Sequence, residues 1–449
     1  MSEPTALRSC ETTKSSWSAS GLFFLGDPSS RPPLNTMTSS APQSFLALKN
    51  KGFQKQLATF VLAMMADNIE HVISYWIMFE KFHSPVLGGF AVVSHWLPFL
   101  LFSVPAGALA ERFDPRRLIQ LGMLMFITAS LGWAYFFVTD SLTQWGAMVL
   151  LVLHGCSGVL WHTSSQMLLY DVVEAPLLPS AIRLLATGRY LSLLVGPAVG
   201  GFILLQVGAI EGMVLNAFFY IPTIWWLWKA PYGHVYNGVT VVSKRAIKGL
   251  EDIQATFRDI SFNPTLLSML LLAGAASFFV GNSYQAQMPG YVHDLAHTDQ
   301  GFVYSMLLAA DALGALLAGL MLERHNWIPN TPRAVLSLAG LWCLFLGAFA
   351  LSTNYVLALV LLVGAGFLEL AFSTMTQSIV QLNAPPQMRG RVIGLYNMSS
   401  LGMRAGSGLV VGLTGGLLGI HASLALACTI LLVIVVFIYK KTRTKNSFT

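Results

Sequence analysis

Between residues 57 and 439 one pattern repeats: an apolar stretch, then a short polar break. Twelve such stretches fit, at 57–79, 86–108, 115–138, 144–168, 181–206, 212–228, 265–290, 301–322, 333–352, 355–380, 391–418 and 421–439. Each is roughly 18–28 residues long, enough for a helix to cross a hydrocarbon core about 30 Å thick. The pattern therefore predicts twelve transmembrane helices. Every second break is short and nearly uncharged, at 80–84, 139–143, 207–211, 353–354 and 420–421. One longer break in that set, 291–300, holds His293, Asp294, His297 and Asp299 and is expected to be a solvated loop.

The charges sort by side. Lys and Arg gather before the first stretch, after the last and at the alternate connections; Lys81 is the exception, while Arg189 and Arg404 lie within stretches. Positive charge marks the cytoplasmic side of a membrane protein, so both termini are expected there. The largest connection, 229–264, contains an amphipathic run from Lys244 to Ile260. Its Ile247, Leu250, Ile253, Phe257 and Ile260 recur every three or four residues, and Lys244, Arg245, Lys248 and Arg258 supply charge. This predicts a helix lying on the cytoplasmic membrane face. The chain is thus expected to consist of a disordered tail (1–45), a six-helix bundle (46–228), the linker (229–264), a second six-helix bundle (265–440) and a short tail (441–449).

Composition narrows the function classes. The chain of 449 residues is 55% hydrophobic and only 10% charged, where soluble domains carry about 25% charged residues. Its net charge of +6 is explained by topology, and no basic patch with interleaved aromatics suggests nucleic acid. The four cysteines, Cys10, Cys156, Cys343 and Cys428, show neither disulfide nor metal spacing. No metal or cofactor is expected. Nucleophile-elbow, phosphate-loop and zinc-protease signatures are missing, so no enzyme is expected either. The first 45 residues are rich in Ser, Thr and Pro. Translation is expected to start at Met37, whose segment leads directly into the first stretch.

The two halves look duplicated. The second stretch ends in Gly107-Ala-Leu-Ala-Glu111-Arg112 and the eighth in Gly319-Leu-Met-Leu-Glu323-Arg324, the same spacing at matching places. Parallel repeats of this kind suit a transporter with its site between the halves. The segment from Gly107 to Arg117 resembles the loop signature of the major facilitator superfamily. Gly196-Pro197-Ala-Val-Gly-Gly201, Tyr304 to Glu323 and Met388-Arg389-Gly390-Arg391-Val392 resemble its enterobactin-exporter-like branch.

The resemblance covers about 45–440. It implies an all-α membrane protein with twelve transmembrane helices in two pseudo-symmetric six-helix bundles. It also implies a proton-coupled exporter of a small amphiphilic or anionic molecule, siderophore-like or drug-like. The expected setting is a monomer in the bacterial inner membrane, with protons, a small-molecule substrate and lipid as partners. Uptake of an organic anion, or a lysophospholipid flippase-like role, remain alternatives. In the family the loop forms a latch, so Gly107, Glu111, Arg112, Arg116 and Arg117 are the expected gating residues. The acid of the latch meets a helix N-terminus, which favours an anion. Here Glu111 replaces the usual Asp and Asp114 the usual Gly, which changes that geometry.

Charged residues inside spans are costly and mark candidate sites. Asp67, Glu70 and His71 lie near the middle of the first stretch, at helical spacing that puts them on one face. An acid and an imidazole together suit reversible protonation, so these three are the expected proton-coupling residues. Arg189, Asp311, Glu369 and Arg404 are expected to line a central cavity with His162, Gln377 and Asn282. Three readings stay open: the arginines hold an anionic substrate, Asp67 or Glu70 neutralises one and Asp311 the other, or substrate and proton compete for the arginine. His154 is expected to be a hydrogen-bonded packing residue, and Pro289-Gly290 to end or break the seventh stretch.

Overall fold

The computed structural model describes residues 45–233, 247–281, 283–295, 300–325 and 327–445. The expectations for residues 1–44 (Cys10 and Met37 among them), Lys244, Arg245, Asn282, His297 and Asp299 lie outside these residues. The first bundle contains α1 (Lys51–Phe82), α2 (Pro85–Arg112), α3 (Pro115–Val138), α4 (Gln144–Val172), α5 (Leu178–Gln206) and α6 (Ala209–Lys229). The linker carries α7 (Glu251–Ile260). The second bundle contains α8 (Pro264–Phe279), α9 (Ser283–Ala286), α10 (Met288–Leu295), α11 (Gln300–His325), α12 (Pro332–Ala350), α13 (Tyr355–Asn383), α14 (Arg389–Asn397), α15 (Arg404–Leu418) and α16 (Ile420–Lys445).

Local sequence explains where the helices start. Ser84, Asp114, Asn263 and Thr331 each precede a proline, and each side-chain oxygen accepts a backbone N–H of the first turn. The proline at the first helical position loses nothing, because its missing N–H has no intrahelical partner there. Among the described residues ten helices are long and apolar enough to cross a membrane. Outward-facing side chains such as Trp145, Phe202 and Leu205 are largely exposed, as a lipid-facing surface requires.

The seventh and eleventh crossings depart from the expected continuous helices. The seventh stops at Phe279 and resumes in the short helices α9 and α10. The break falls at Gly281, not at Pro289-Gly290, which lie within α10. Gly281 has φ of 48°, and an added Cβ would run into the carbonyl of Ser277 and the side chain of Ser407. The eleventh crossing is split into α14 and α15 by a π-helical segment, Met398–Gly402. There the Met403 N–H donates to the Met398 carbonyl, and the Ser277 hydroxyl donates to the Ser400 carbonyl at 2.6 Å. Such single π turns insert one extra residue and bend a helix.

Two further expectations are corrected. Residues 291–295 continue α10 rather than forming loop. The linker helix begins at Glu251, not Lys244, because Gly249 has φ of 66° and turns the chain just before it. Its Asp252, Thr256 and Ile260 are buried, so α7 docks on the bundle as well as offering Leu250 and Phe257 outward.

Candidate functional site

The bundles meet through two pseudo-equivalent helix pairs, α2 with α14 and α5 with α11. Both pairs carry a latch at the end of the molecule that bears Lys49 and Lys441. Glu111, from the end of α2, ion-pairs with Arg391, and one of its oxygens accepts the Arg391 backbone N–H at 2.7 Å in the first turn of α14. Arg391 also reaches Asp252 of α7, Nε to Oδ1, at 3.3 Å. In the second pair Glu323, from the end of α11, accepts from Arg183 Nε and Nη2 at 2.9 Å and from the Ser180 hydroxyl. The repeated glutamate of each half thus grips an arginine of the other half.

The remaining members of the expected gating group do other things. Gly107 lies so close to Gly390 that a Cβ on either would overlap the other's carbonyl. Arg116 is bound to Asp114 through Nη2 and Oδ2 at 2.6 Å and donates to the Ala230 carbonyl at 2.7 Å, tying the loop to the end of α6. Arg117 donates to Gln120 at 2.9 Å, and Arg112 is exposed over Phe113.

Above the latches a cavity lies between the bundles in two lobes, of about 120 and 260 Å³. Both lobes share His162, Arg189, Tyr190, Glu369 and Arg404. Gln377, Gln166 and Asn397 line the smaller lobe; Asp67, His71 and His95 line the larger. In the wall of the smaller lobe an amide chain crosses between the bundles. Gln381 donates to Gln166 at 3.0 Å, Gln166 to Asn397 at 2.9 Å and Asn397 to Thr163 at 3.2 Å.

The charged residues fall into three groups. In the first bundle, His154 of α4 stands between two carboxylates of α1, with Nε2 2.8 Å from Asp67 Oδ1 and Nδ1 2.8 Å from Glu70 Oε1. The other Glu70 oxygen accepts from Ser130 of α3 at 2.5 Å and from Asn216 of α6 at 3.4 Å. His71 lies 3.8 Å from Asp67, and its ring packs on those of His95 and His154 at 4.9 and 4.8 Å. In the second bundle, Tyr284 of α9 donates to Asp311 of α11 at 2.9 Å and lies 3.3 Å from Glu369 of α13; Gln285 donates to Asp311 at 3.1 Å.

The third group is the two arginines. Among the described residues neither the Arg189 nor the Arg404 guanidinium makes a hydrogen bond or ion pair. Arg404 lies over Trp96 at 5.1 Å and Arg189 over Tyr190 at 5.5 Å, and Arg404 Nε is buried with no partner. The pairing of Asp67, Glu70 or Asp311 with an arginine, one of the expected arrangements, is not formed. Imidazole, hydroxyl and amide groups hold those acids instead.

Sequence reasoning missed His95, Ser130 and Asn216, and placed His154 as packing. The rule that flagged Asp67, a titratable side chain inside a span, applies equally to His95 and His154. Ser130 and Asn216 carry no such signal. At the far end of the molecule, His293 and His421 both contact Asp294, at 3.1 and 2.9 Å. Their hydrogen bonds hold that carboxyl below its usual range.

A family model described as "Transmembrane secretion effector" matches residues 43–447. The enterobactin exporter EntS of Shigella flexneri is 27% identical over 168 residues, 37% of this chain and 38% of that protein. The same exporter from Shigella boydii is 25% identical over 170 residues, 37% of this chain and 39% of that protein. These matches therefore span well under half of the exporters' length. Three solved structures share the fold at low identity. The Escherichia coli fucose:proton symporter FucP has a TM-score of 0.66 at 11% identity, covering 88% of this chain and 99% of that one. The human organic anion transporter MFSD10 has 0.65 at 14%, covering 88% and 99%. A bacterial homologue of the iron transporter ferroportin, outward-facing with soaked iron, has 0.64 at 16%, covering 86% and 97%.

Proposed function

The chain belongs to the transmembrane secretion effectors of the major facilitator superfamily, and we propose that it exports a small amphiphilic anion by alternating access, driven by the proton gradient. The end that bears the latches is, in this reading, the cytoplasmic one. Lys and Arg concentrate at its connections, as the positive-inside rule requires of that side. The latches then hold the cytoplasmic side shut, and the cavity belongs to a state awaiting its outward exchange.

The observation that carries the anion is the bare pair of guanidiniums, Arg189 and Arg404, in the wall of both lobes. A permanently charged group inside a membrane protein needs a partner, and these two have none among the described residues. Arg183, Arg391 and Arg116 are all ion-paired, so the contrast is local to the cavity. The planar guanidinium suits carboxylate, phosphate or catecholate oxygens. Trp96, Phe99 and Tyr190 beside them give an apolar body somewhere to lie. The low-identity match to enterobactin exporters supports the outward direction.

The test uses purified protein in liposomes with carboxyfluorescein as the anionic probe and ethidium as the cationic one. Carboxyfluorescein should move faster than through empty liposomes when a proton gradient is imposed, and a protonophore should stop it. Arg404→Ala and Arg189→Ala should each lower the rate about tenfold or more, the worth of one charge-assisted hydrogen bond. Transport of ethidium alone, or carboxyfluorescein transport that both alanine variants leave at the wild-type rate, sinks the reading.

A further inference from the structure

We propose that Asp67, His71, His95 and His154 bind a divalent first-row transition-metal ion in the wall of the cavity. From sequence, Asp67, Glu70 and His71 are expected to carry protons and no metal is expected; the geometry supports a metal ion at this place. The donor atoms of the four side chains all lie within 4.8 Å of one another. Around a tetrahedral ion with bonds of roughly 2.0–2.2 Å, ligand atoms stand about 3.3–3.6 Å apart. The limit of 4.8 Å exceeds this spacing and the Asp67–His154 contact at 2.8 Å falls short of it, so side-chain rotation adjusts both when an ion binds. Three imidazoles and one carboxylate form a donor set suited to zinc, cobalt, nickel or iron, and not to magnesium or calcium.

Three further features fit an ion. The first is an orphan: His95 Nδ1 is buried and has no hydrogen-bond partner. His71 is little better placed, since its contact to Asp67 at 3.8 Å is too long for a hydrogen bond. Both rings therefore offer nitrogen to the cluster without spending it elsewhere.

The second feature is charge. Asp67 and Glu70 have no Lys or Arg partner among the described residues. A doubly positive ion with neutral imidazoles balances the pair, which an apolar setting otherwise leaves costly.

The third is the backing of His154. Its Nδ1 faces Glu70 at 2.8 Å while Nε2 faces Asp67 at 2.8 Å. With one proton on Nδ1, donated to Glu70, Nε2 and Asp67 Oδ1 both present lone pairs to the same space. An ion bound there uses both. Glu70, itself held by Ser130 and Asn216, then fixes the ligand's tautomer from behind, as carboxylates do for metal-bound histidine. Asp67, His71 and His95 line the larger lobe, so the ion is reachable from the cavity that holds Arg189 and Arg404.

This inference stands apart from the transport reading, and its test is a binding measurement. Protein carrying a histidine-free purification tag is stripped with chelator and titrated with Co²⁺. One Co²⁺ per chain should bind with visible d–d absorption, and Zn²⁺ should displace it. X-ray absorption of the zinc form should show imidazole ligation at about 2.0–2.1 Å. His95→Ala and the milder His71→Asn should each weaken Co²⁺ at least tenfold. Glu70→Gln, which touches no metal, should weaken it about 10–100-fold by loosening His154. His293→Ala, far from the cluster, should bind like wild type. Melting temperature in detergent without metal identifies variants that misfold. Two results overturn the proposal: no stoichiometric Co²⁺ in the wild type, or unchanged affinity in folded His71→Asn and His95→Ala.

Discussion

The two latches sit at the same Gly-x-x-x-Glu-Arg spacing in each half, yet they are not built alike. Glu111 and Glu323 sit at the same place in their halves, and each reaches an arginine on the opposite bundle. Around Arg391 two carboxylates converge, and Glu111 also accepts the Arg391 backbone N–H. Around Glu323 there is one arginine and one serine hydroxyl. The helices differ likewise. Gly107 and Gly390 meet backbone to backbone, while Gly319 meets the side chain of Thr187. The acid at the end of each repeat is thus shared, and the difference comes from what was added: the linker helix supplies Asp252 to one latch only. One latch is an arginine–glutamate dyad backed by a serine; the other is a triad tied to the segment that connects the two bundles.

The largest effect should follow from removing the arginine of each latch. Arg391→Ala strands two carboxylates that are themselves buried, and breaking a buried pair costs about 3–5 kcal/mol. Arg183→Ala strands one, and Ser180 still donates to it, so a loss of roughly 1–3 kcal/mol is expected. Spin labels at Phe113 and Gln387 report the latched end. Their distance distribution should broaden more for Arg391→Ala than for Arg183→Ala. Equal broadening would erase the asymmetry.

Asp252 sharpens the same comparison with a smaller effect. Its two oxygens face Arg391 and the backbone N–H of Lys248, at 3.3 and 2.7 Å. Asp252→Asn keeps an acceptor and leaves Arg391 with Glu111. Stability should fall by about 1 kcal/mol, while α7 loosens from the bundle. Faster amide exchange over 251–260, with little change in α14, would be the mark of a linker that reinforces the latch. No change in α7 exchange would remove Asp252 from it.

How much of this was legible in the sequence depends on period and distance. The twelve crossings were readable because a lipid-facing helix must be apolar over its whole length. The repeat at Gly107 and Gly319 pointed to equivalent ends, and Glu111 to a latch. The partners Arg391, Arg183 and Asp252 were not readable, since each comes from a helix far along the chain. Breaks at Gly281 and in the π segment were hidden for a different reason. Both stretches carry polar residues at the break, Ser283 and Gln285 in one and Asn397, Ser399 and Ser400 in the other, but a polar residue in a span does not by itself mark a break, and hydropathy does not register which carbonyl accepts the hydroxyl of a serine on a neighbouring helix. The cavity residues show the limit most clearly. Cost inside the membrane singled out Asp67, Glu70, Arg189, Asp311, Glu369 and Arg404, but not which would meet. Three imidazoles, a tyrosine and two amides decided that; the imidazoles fall under the same rule as the acids, but a tyrosine or an amide in a span raises no flag.

The smallest effect belongs to the opposite end, where Lys81 and Asp140 pair at 2.5 Å. This is also a buttoned loop, and by distance alone it looks like a latch. Asp140 is fully exposed to water, however, with its side chain 92% open. The Lys81 ammonium donates to it and holds its carboxyl below the usual range. A lowered carboxyl contributes stability above the unfolded value, and that contribution disappears as pH falls through the folded one. Solvent and salt screen it throughout. Asp140→Asn should therefore leave the melting temperature at neutral pH within error of wild type, and acidification should not separate the two proteins. A loss comparable to Arg183→Ala would mean that burial is not what distinguishes the two ends, and the comparison between latches would need another cause.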